Sequence, residues 1–553
     1  MRPSDLTERL LTVNFSFEVP DSGDLSLLDH WLSVALGIPE TLFACSTPAG
    51  ESPDLAQAKA FLSRTLALAR LFLELGRVPI FELPTVASVT LQEPGKAGFL
   101  AQVGFPLVDH LAHACYQLAL KSSLELCRGA MQAPRNPENG LMLYAGIEEK
   151  VIKPLHRMVP AGKSTIPVLR AAHSLGIPFI HLGLGVYQLG WGSKARRMDR
   201  STSELDSAMG SKLSQNKVAT ASLLRMAGLP APSHLVVNKA ADAVAAAGKI
   251  GFPVVVKPSD RDRGEGVTVD VIDDASLHAA FEVAQRLARN KQVIVERQVP
   301  GVCHRLFIAH GRLLYAVKRL PMSVRGDGKH TVAQLVIAEV QRQRTQPPWC
   351  RTEIRPVDAM AVAAMKRAGF LPESVPDENV MVPLRRIEST EWGGIDEEVS
   401  DRIHPDNLAI AIRATELFGL HVAGIDIITP DIAVPWHANG AIINEVNFAP
   451  LFGGGEISRR HIPIFLKELV DGQGRIPIEV FEGQDAAGKA SKRHAEMTRR
   501  GLRCFLTTHS QTLDARFQEL KMASQGISNR VLALLCRPEV DAIVVVRIQP
   551  GQR

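Results

Sequence analysis

The sequence predicts a multidomain protein of mixed α/β and α+β class, and three observations point there. The chain has 553 residues, room for roughly three to five domains at about 100–200 residues each. From about residue 160, helical stretches lead through Gly-x-Pro into short apolar runs. Gly176-Ile177-Pro178 precedes Phe179–Leu182, and Gly228-Leu229-Pro230 precedes His234–Val237; this is the rhythm of an α/β layer. A strand-rich layer then follows between Pro253 and Arg319.

Composition excludes several classes. Hydrophobic residues are 46% and charged residues 22%, which is globular rather than disordered. Lys and Arg total 63 against 58 Asp and Glu, a net charge of +5. That is too weak a bias to mark a nucleic-acid surface, although nucleotides remain plausible partners. The most apolar stretch, Ala60–Leu83, carries Arg64, Arg70, Glu74 and Arg77, so no membrane span is expected. Met1–Pro20 lacks a cleavable apolar core, so no signal peptide is expected. The seven cysteines show no zinc-type pair, and reduced thiols in a cytoplasmic protein are expected.

The elements follow in order. In residues 1–158, Ala56–Leu75 and Val108–Cys127 read as amphipathic helices, Phe15–Val19 and Val86–Leu91 as strands, and Pro134–Gly140 as a loop. This N-terminal domain carries no chemistry and is expected to serve packing, oligomerisation or substrate presentation. Residues 159–471 form the second domain. Its expected helices are Ser164–Ser174, Leu213–Ala227, Asp274–Arg289, Thr331–Arg344 and Leu408–Leu417. Its expected strands include Val254–Lys257, Val293–Glu296, Arg305–Ile308, Leu313–Val317, Val422–Ile428 and Ala441–Val446. Gly472-Gln473-Gly474 reads as a linker to a small third domain, 472–553.

Two groups of residues carry chemistry. Lys257 ends an apolar strand, and Gly264 and Gly266 follow in one loop. A strand lysine with a loop whose backbone N–H groups can approach an anion is a phosphate-handling pattern. Asp426 lies in an apolar strand, and Glu445 and Asn447 stand two apart on another, facing one side. Burying two carboxylates is costly unless a cation neutralises them. Mg²⁺ with nucleotide phosphates suits such hard oxygen donors; pairing with buried arginines, Arg385 or Arg386, is the alternative. Asn447, a neutral oxygen donor that an ion pair does not need, favours the metal.

The ordered set Lys217, Lys257, Gly264, Gly266, Glu296, Arg386, Asp426, Glu445 and Asn447 resembles the ATP-grasp ligases. It is closest to the ATP-grasp module of cyanophycin synthetases, over roughly Pro160–Val470. Tyr187–Gly192, Val256-Lys257-Pro258, His304-Arg305, Arg325–Thr331 and His404–Asn407 add to the likeness. The resemblance implies ATP between two α+β subdomains. Lys217, Lys257 and Lys318 would contact ATP, the Gly264–Gly266 loop would close over the phosphates, and Glu296 and Arg297 would lie at the adenine edge. Mg²⁺ would sit on Asp426, Glu445 and Asn447. Arg386 and Arg319 would be catalytic, although Lys318 and Arg319, as strand neighbours, point to opposite faces. The implied reaction joins amino acids or short peptides by an amide, peptide or isopeptide, through an acyl phosphate, releasing ADP and phosphate. A cyanophycin-type polymerase of dipeptides and a catalytically silent ATP-binding scaffold are the alternatives. Amino-acid or peptide substrates and a homo-oligomer are expected, with no nucleic acid and no membrane partner.

Some segments depart from the family. Glu391-Trp392 replaces small hydroxyl residues, and Asn447–Gly455 reads Asn-Phe-Ala-Pro-Leu-Phe-Gly-Gly-Gly; both imply an altered acceptor pocket. The acidic residue expected near Cys303 to hold the ATP ribose is absent. Gly483–Ala490 resembles a P-loop, but Ala490 follows Lys489 where Ser or Thr is required. With the chain ending at Arg553, a truncated, degenerate Mur-ligase-like piece is expected rather than a second active site.

Overall fold

The computed structural model describes residues 10–20, 24–44, 50–92, 98–132, 143–261, 264–351, 357–386, 388 and 393–547. The loop assigned to Pro134–Gly140 and the Glu391-Trp392 pair lie outside the described residues.

Near the N-terminus an antiparallel sheet places Phe99–Pro106 between Leu10–Phe17 and Thr85–Leu91. Sequence reading missed the central strand, because buried Gly104 and Phe105 interrupt its alternation. Helices Pro53–Leu75 and His113–Gln132 cover the sheet. The first starts where Ser52 accepts a hydrogen bond from the Leu55 N–H and proline occupies the first turn. Their apolar faces close a core with Phe17, Phe61, Phe72, Phe105 and Tyr116.

A four-stranded antiparallel meander, Phe179–Gly183, Val186–Leu189, Arg196–Asp199 and Thr202–Ser203, follows. Two further antiparallel sheets carry the charged residues of interest. The smaller runs Thr268–Val271, Val254–Pro258, Val293–Arg297, His234–Val237. Val254, Val256, Val293 and Val295 meet helices Ala240–Ile250 and Asp274–Leu287 on one face. The opposite face carries Val255, Lys257, Ile294 and Glu296. The larger sheet runs Ile395–Glu398, Arg312–Leu320, Val302–Ala309, Val422–Thr429, Ile442–Phe448. Helix Pro405–Leu417 packs on one face of it, and Thr165–Ser174 with Glu456–Leu469 on the other.

Phe452, read from the sequence as pocket lining, is fully buried against Phe307 and Phe465. The glycine beside it is a packing requirement: a Cβ on Gly453 would stand 2.4 Å from Pro167. The C-terminal unit has parallel strands Ile478–Glu482, Ala542–Arg547 and Cys504–Thr507, with Thr512–Leu513 antiparallel at the edge. Helices Ala486–Arg499 and Ile527–Leu535 pack with two separate buried clusters of this unit.

Candidate active site

One face of the five-stranded sheet gathers the charged residues. The register pairs Asp396 with Arg319, Arg305 with Asp426, and Asp426 with Glu445. Directly paired residues share a face. A register shift between Asp426 and Ile427 leaves Asn444 unpaired in the last strand. This bulge turns Ile443 into the apolar core and Glu445 with Asn447 to the charged face.

Asp426 is 3% exposed. Arg305 grips it with both ends of its fork, Nε to Oδ1 at 2.7 Å and Nη2 to Oδ2 at 2.7 Å. Burial alone would lower the Arg305 pKa, but the adjacent Asp426 carboxylate outweighs it and holds the guanidinium charged. Arg319 Nη1 stands 3.9 Å from Asp426 Oδ2. Asn447 donates Nδ2–H to Asp426 Oδ2 at 3.2 Å and to the Gly424 carbonyl at 3.1 Å, so its amide oxygen is the atom left to accept.

Two lysines meet this face, Lys217 from a helix packed against the last strand of the same sheet and Lys257 from the smaller sheet. Lys217 is the first residue of helix Lys217–Met226, capped by Asn216 accepting from the Ala219 N–H. A cation at a helix N-terminus opposes the helix dipole, and Glu445 compensates at 2.8 Å. Burial raises the Glu445 pKa, but the Lys217 ion pair, with Lys257 and Arg305 nearby, holds it below the ordinary carboxylate range. Lys257 binds Glu296 at 2.6 Å on the facing sheet, and both are largely buried. Lys217 is therefore neutralised by a carboxylate of the large sheet and Lys257 by a carboxylate of its own sheet.

The turn after Lys257 carries Gly264 and Gly266 at φ +79° and +73°. Arg297 is exposed at the strand end, on the face opposite Glu296. Lys318 pairs in register with His304, away from the Asp426 face, so only Arg319 of the two points at the charged row. Arg386 forms an ion pair with Asp270 on the edge strand of the smaller sheet. Arg385 is buried on Asp358, at 3.0 Å. The arginine that neutralises Asp426 is therefore Arg305, which sequence reading quoted only as part of a motif. Burial raises the carboxyls of Glu388 and Asp396, which lie within the fields of Arg319 and Asp426.

Among the described residues no three of His, Cys, Asp and Glu gather as a metal cage. Two carboxylates and an amide oxygen are nevertheless the donor set that Mg²⁺ takes when nucleotide phosphates complete its shell. The residues present fit that ion.

The paired sheets enclosing this cleft are an ATP-grasp fold. Residues 216–305 match the family model described as "Carbamoyl-phosphate synthase L chain, ATP binding domain", a stretch that contains Lys217, Lys257, both loop glycines, Glu296 and Arg305. The chain is similar to the cyanophycin synthetase of Trichormus variabilis (strain ATCC 29413 / PCC 7937), 30% identical over 386 residues, 67% of this chain and 42% of the relative. It is also similar to the glutathione biosynthesis bifunctional protein GshAB of Mannheimia succiniciproducens, 31% identical over 258 residues, 44% of this chain and 33% of the relative. A solved bifunctional glutathione synthetase from Pasteurella multocida aligns over 64% of this chain and 52% of its own, with TM-score 0.44 and 23% identity. The chain spans less than half the length of these two curated relatives.

Proposed function

We propose that the protein is an ATP-dependent carboxylate–amine ligase acting on amino acids or short peptides. The observation that carries this reading is the set of ion pairs gathered at one face: Lys217 on Glu445, Lys257 on Glu296, and Arg305 on Asp426, with Lys257 close enough to help hold Glu445 ionised. Polyphosphate entering the cleft offers both lysines stronger partners than their present carboxylates. Lys217 then releases Glu445, whose oxygens become free beside Asp426 and the Asn447 amide. Those three residues would hold Mg²⁺, which neutralises phosphate charge.

Arg305 keeps Asp426 oriented, and Arg319 offers a guanidinium to the phosphoryl group in transfer. Arg386 joins it once Asp270 is released. The substrate carboxylate oxygen attacks the γ-phosphorus and ADP leaves; phosphorylation turns a poor electrophile into a good one. The amine nitrogen then attacks the acyl carbon, orthophosphate departs and the nitrogen loses a proton. The Gly264–Gly266 turn would shield the intermediate from water. A cytoplasmic setting supplies both ATP and reduced thiols.

The test incubates the purified chain with ATP, Mg²⁺ and a panel of amino acids and dipeptides, with hydroxylamine to trap acyl phosphate as hydroxamate. Hydroxamate that depends on one carboxylate and is lost in Lys257→Ala supports the reading. ADP release that no carboxylate alters, or that survives Lys257→Ala, refutes it.

A further inference from the structure

A cavity of 330 Å³ opens where the N-terminal unit, the small meander and the C-terminal unit meet. It shares no lining residue with the cleft that holds Lys257 and Asp426.

Its polar groups are unequal. Arg475, exposed at the rim, donates Nε–H to the Gly176 carbonyl at 3.0 Å, and its two Nη groups have no partner among the described residues. A guanidinium with both outer nitrogens available is the group that receives a carboxylate. Opposite charge lines the same space: Asp109, and Glu82 held by His173 at 3.1 Å. One cation facing carboxylates disfavours a dianion and suits a ligand that carries an ammonium beside its carboxylate. Ile180, Trp191 and Leu532 supply apolar wall.

The walls are set before any ligand arrives. His181 uses both ring nitrogens, Nδ1 on the Asp109 carbonyl at 2.6 Å and Nε2 on the Gly185 N–H at 3.1 Å, so it is a neutral strut. The main-chain N–H of Trp191 donates to the Gly474 carbonyl at 2.7 Å. The volume lies in the range of small-molecule sites.

We propose that this cavity binds a free amino acid with an apolar side chain. The carboxylate engages the Arg475 fork, the ammonium faces Asp109, and the side chain rests on Ile180, Trp191 and Leu532. Because three units contribute walls, occupancy ties the C-terminal unit to the other two without entering the nucleotide cleft.

Trp191 makes the site observable. The full chain, without nucleotide, is titrated with L-leucine, L-phenylalanine, L-glutamate and leucinamide while intrinsic fluorescence is followed. The expected result is a saturable change with leucine or phenylalanine, and binding at least tenfold weaker for glutamate and leucinamide. Arg475→Met and Leu532→Phe should each weaken leucine binding tenfold or more and leave binding of a fluorescent ATP analogue unchanged. If Arg475→Met disturbs nucleotide binding through misfolding, Leu532→Phe decides alone. No saturable response to either apolar amino acid up to about 10 mM, weaker than about 3 kcal/mol of binding, overturns the proposal. So does an unchanged affinity in both variants. This result is independent of turnover, so it stands or falls separately from the ligase reading.

Discussion

Neutralising Glu445 removes the carboxylate paired with Lys217 and leaves the oxygen donor set one charge short. Glu445→Gln keeps shape and hydrogen-bonding length. Turnover should fall on the order of 10²-fold or more, several kcal/mol of transition-state stabilisation, with the thermal transition retained. Activity within about twofold of the parent would remove the metal assignment. The pH sign follows from the lowered Glu445 pKa: its contribution to stability is present above the unfolded carboxyl range and is lost as pH falls through the folded value. The residue types at this site were legible in the sequence, since a lysine at a strand end and carboxylates in apolar strands are anomalies that need a reason. Partners were not. Arg305 and Asp426 are 121 residues apart, and only the pairing of two strands brings them together. Adjacent Arg385 and Arg386, which looked suitable, are drawn to Asp358 and Asp270 instead.

Single elements decide which side chains reach the cleft. The bulge at Asn444 is one such device, and no local pattern announced it, because Ile443, Glu445 and Asn447 read as one continuous alternation. The turn at Gly266 is another. Its φ is +73°, and a Cβ there would lie 2.9 Å from Pro258 and 3.0 Å from Leu287. Gly266→Val should therefore destabilise the protein by about 1–3 kcal/mol, read as a lower urea midpoint; an unchanged midpoint would refute this account of the turn. The P-loop-like segment behaves differently. Only Gly483, Gln484 and Asp485 separate strand Ile478–Glu482 from helix Ala486–Arg499, so Gly488 and Lys489 lie inside the helix rather than in a phosphate-wrapping loop. The Asp485 carboxylate lies 2.3 Å from where a Cβ on Gly488 would stand, placing negative charge where a phosphate would approach. Lys489→Ala should leave amide formation within about twofold of the parent, whereas Lys257→Ala should abolish it. Equal collapse in both would show two working sites.

At the scale of the molecule, buried histidines set the acid side of stability. Burial is the leading cause that lowers the pKa of His156, His181, His234, His304 and His421. His421 is further engaged, with Ser203 Oγ at 2.9 Å and His310 Nδ1 at 3.0 Å. Each holds a proton less tightly folded than unfolded, so the unfolded chain takes up protons first as pH drops below about 6.5, and stability falls as pH falls through that window and recovers above it. Melting temperature followed from pH 8 to pH 5 should decline most steeply below about 6.5; a flat profile would contradict the burial of these rings. The inner strands of the two larger sheets and helices Thr165–Ser174, Asp274–Leu287, Val332–Arg344 and Pro405–Leu417 were legible because their apolar runs and turn glycines are local, whereas the edge strands Thr268–Val271 and Ile395–Glu398 and the helices Ala240–Ile250 and Glu456–Leu469 were not. The packing of Phe452 and the central strand Phe99–Pro106 were not, because both are settled by neighbours distant in sequence.

The seam beside Trp191 has a consequence for how this chain could be recombined. The backbone of the meander touches the C-terminal unit so closely that a Cβ on Gly192 would fall 2.2 Å from the Val540 carbonyl oxygen, and one on Gly190 2.8 Å from that of Gly474. Ser193 donates to that Val540 carbonyl at 2.8 Å, and Gln188 reaches the Leu535 carbonyl at 3.0 Å. A crossover placed at Gly472–Gly474, where the chain reads as a linker, would lay a foreign C-terminal unit on a hairpin shaped for another. A working exchange must carry the Gln188–Ser193 turn along with it, although nearly three hundred residues lie between the two pieces.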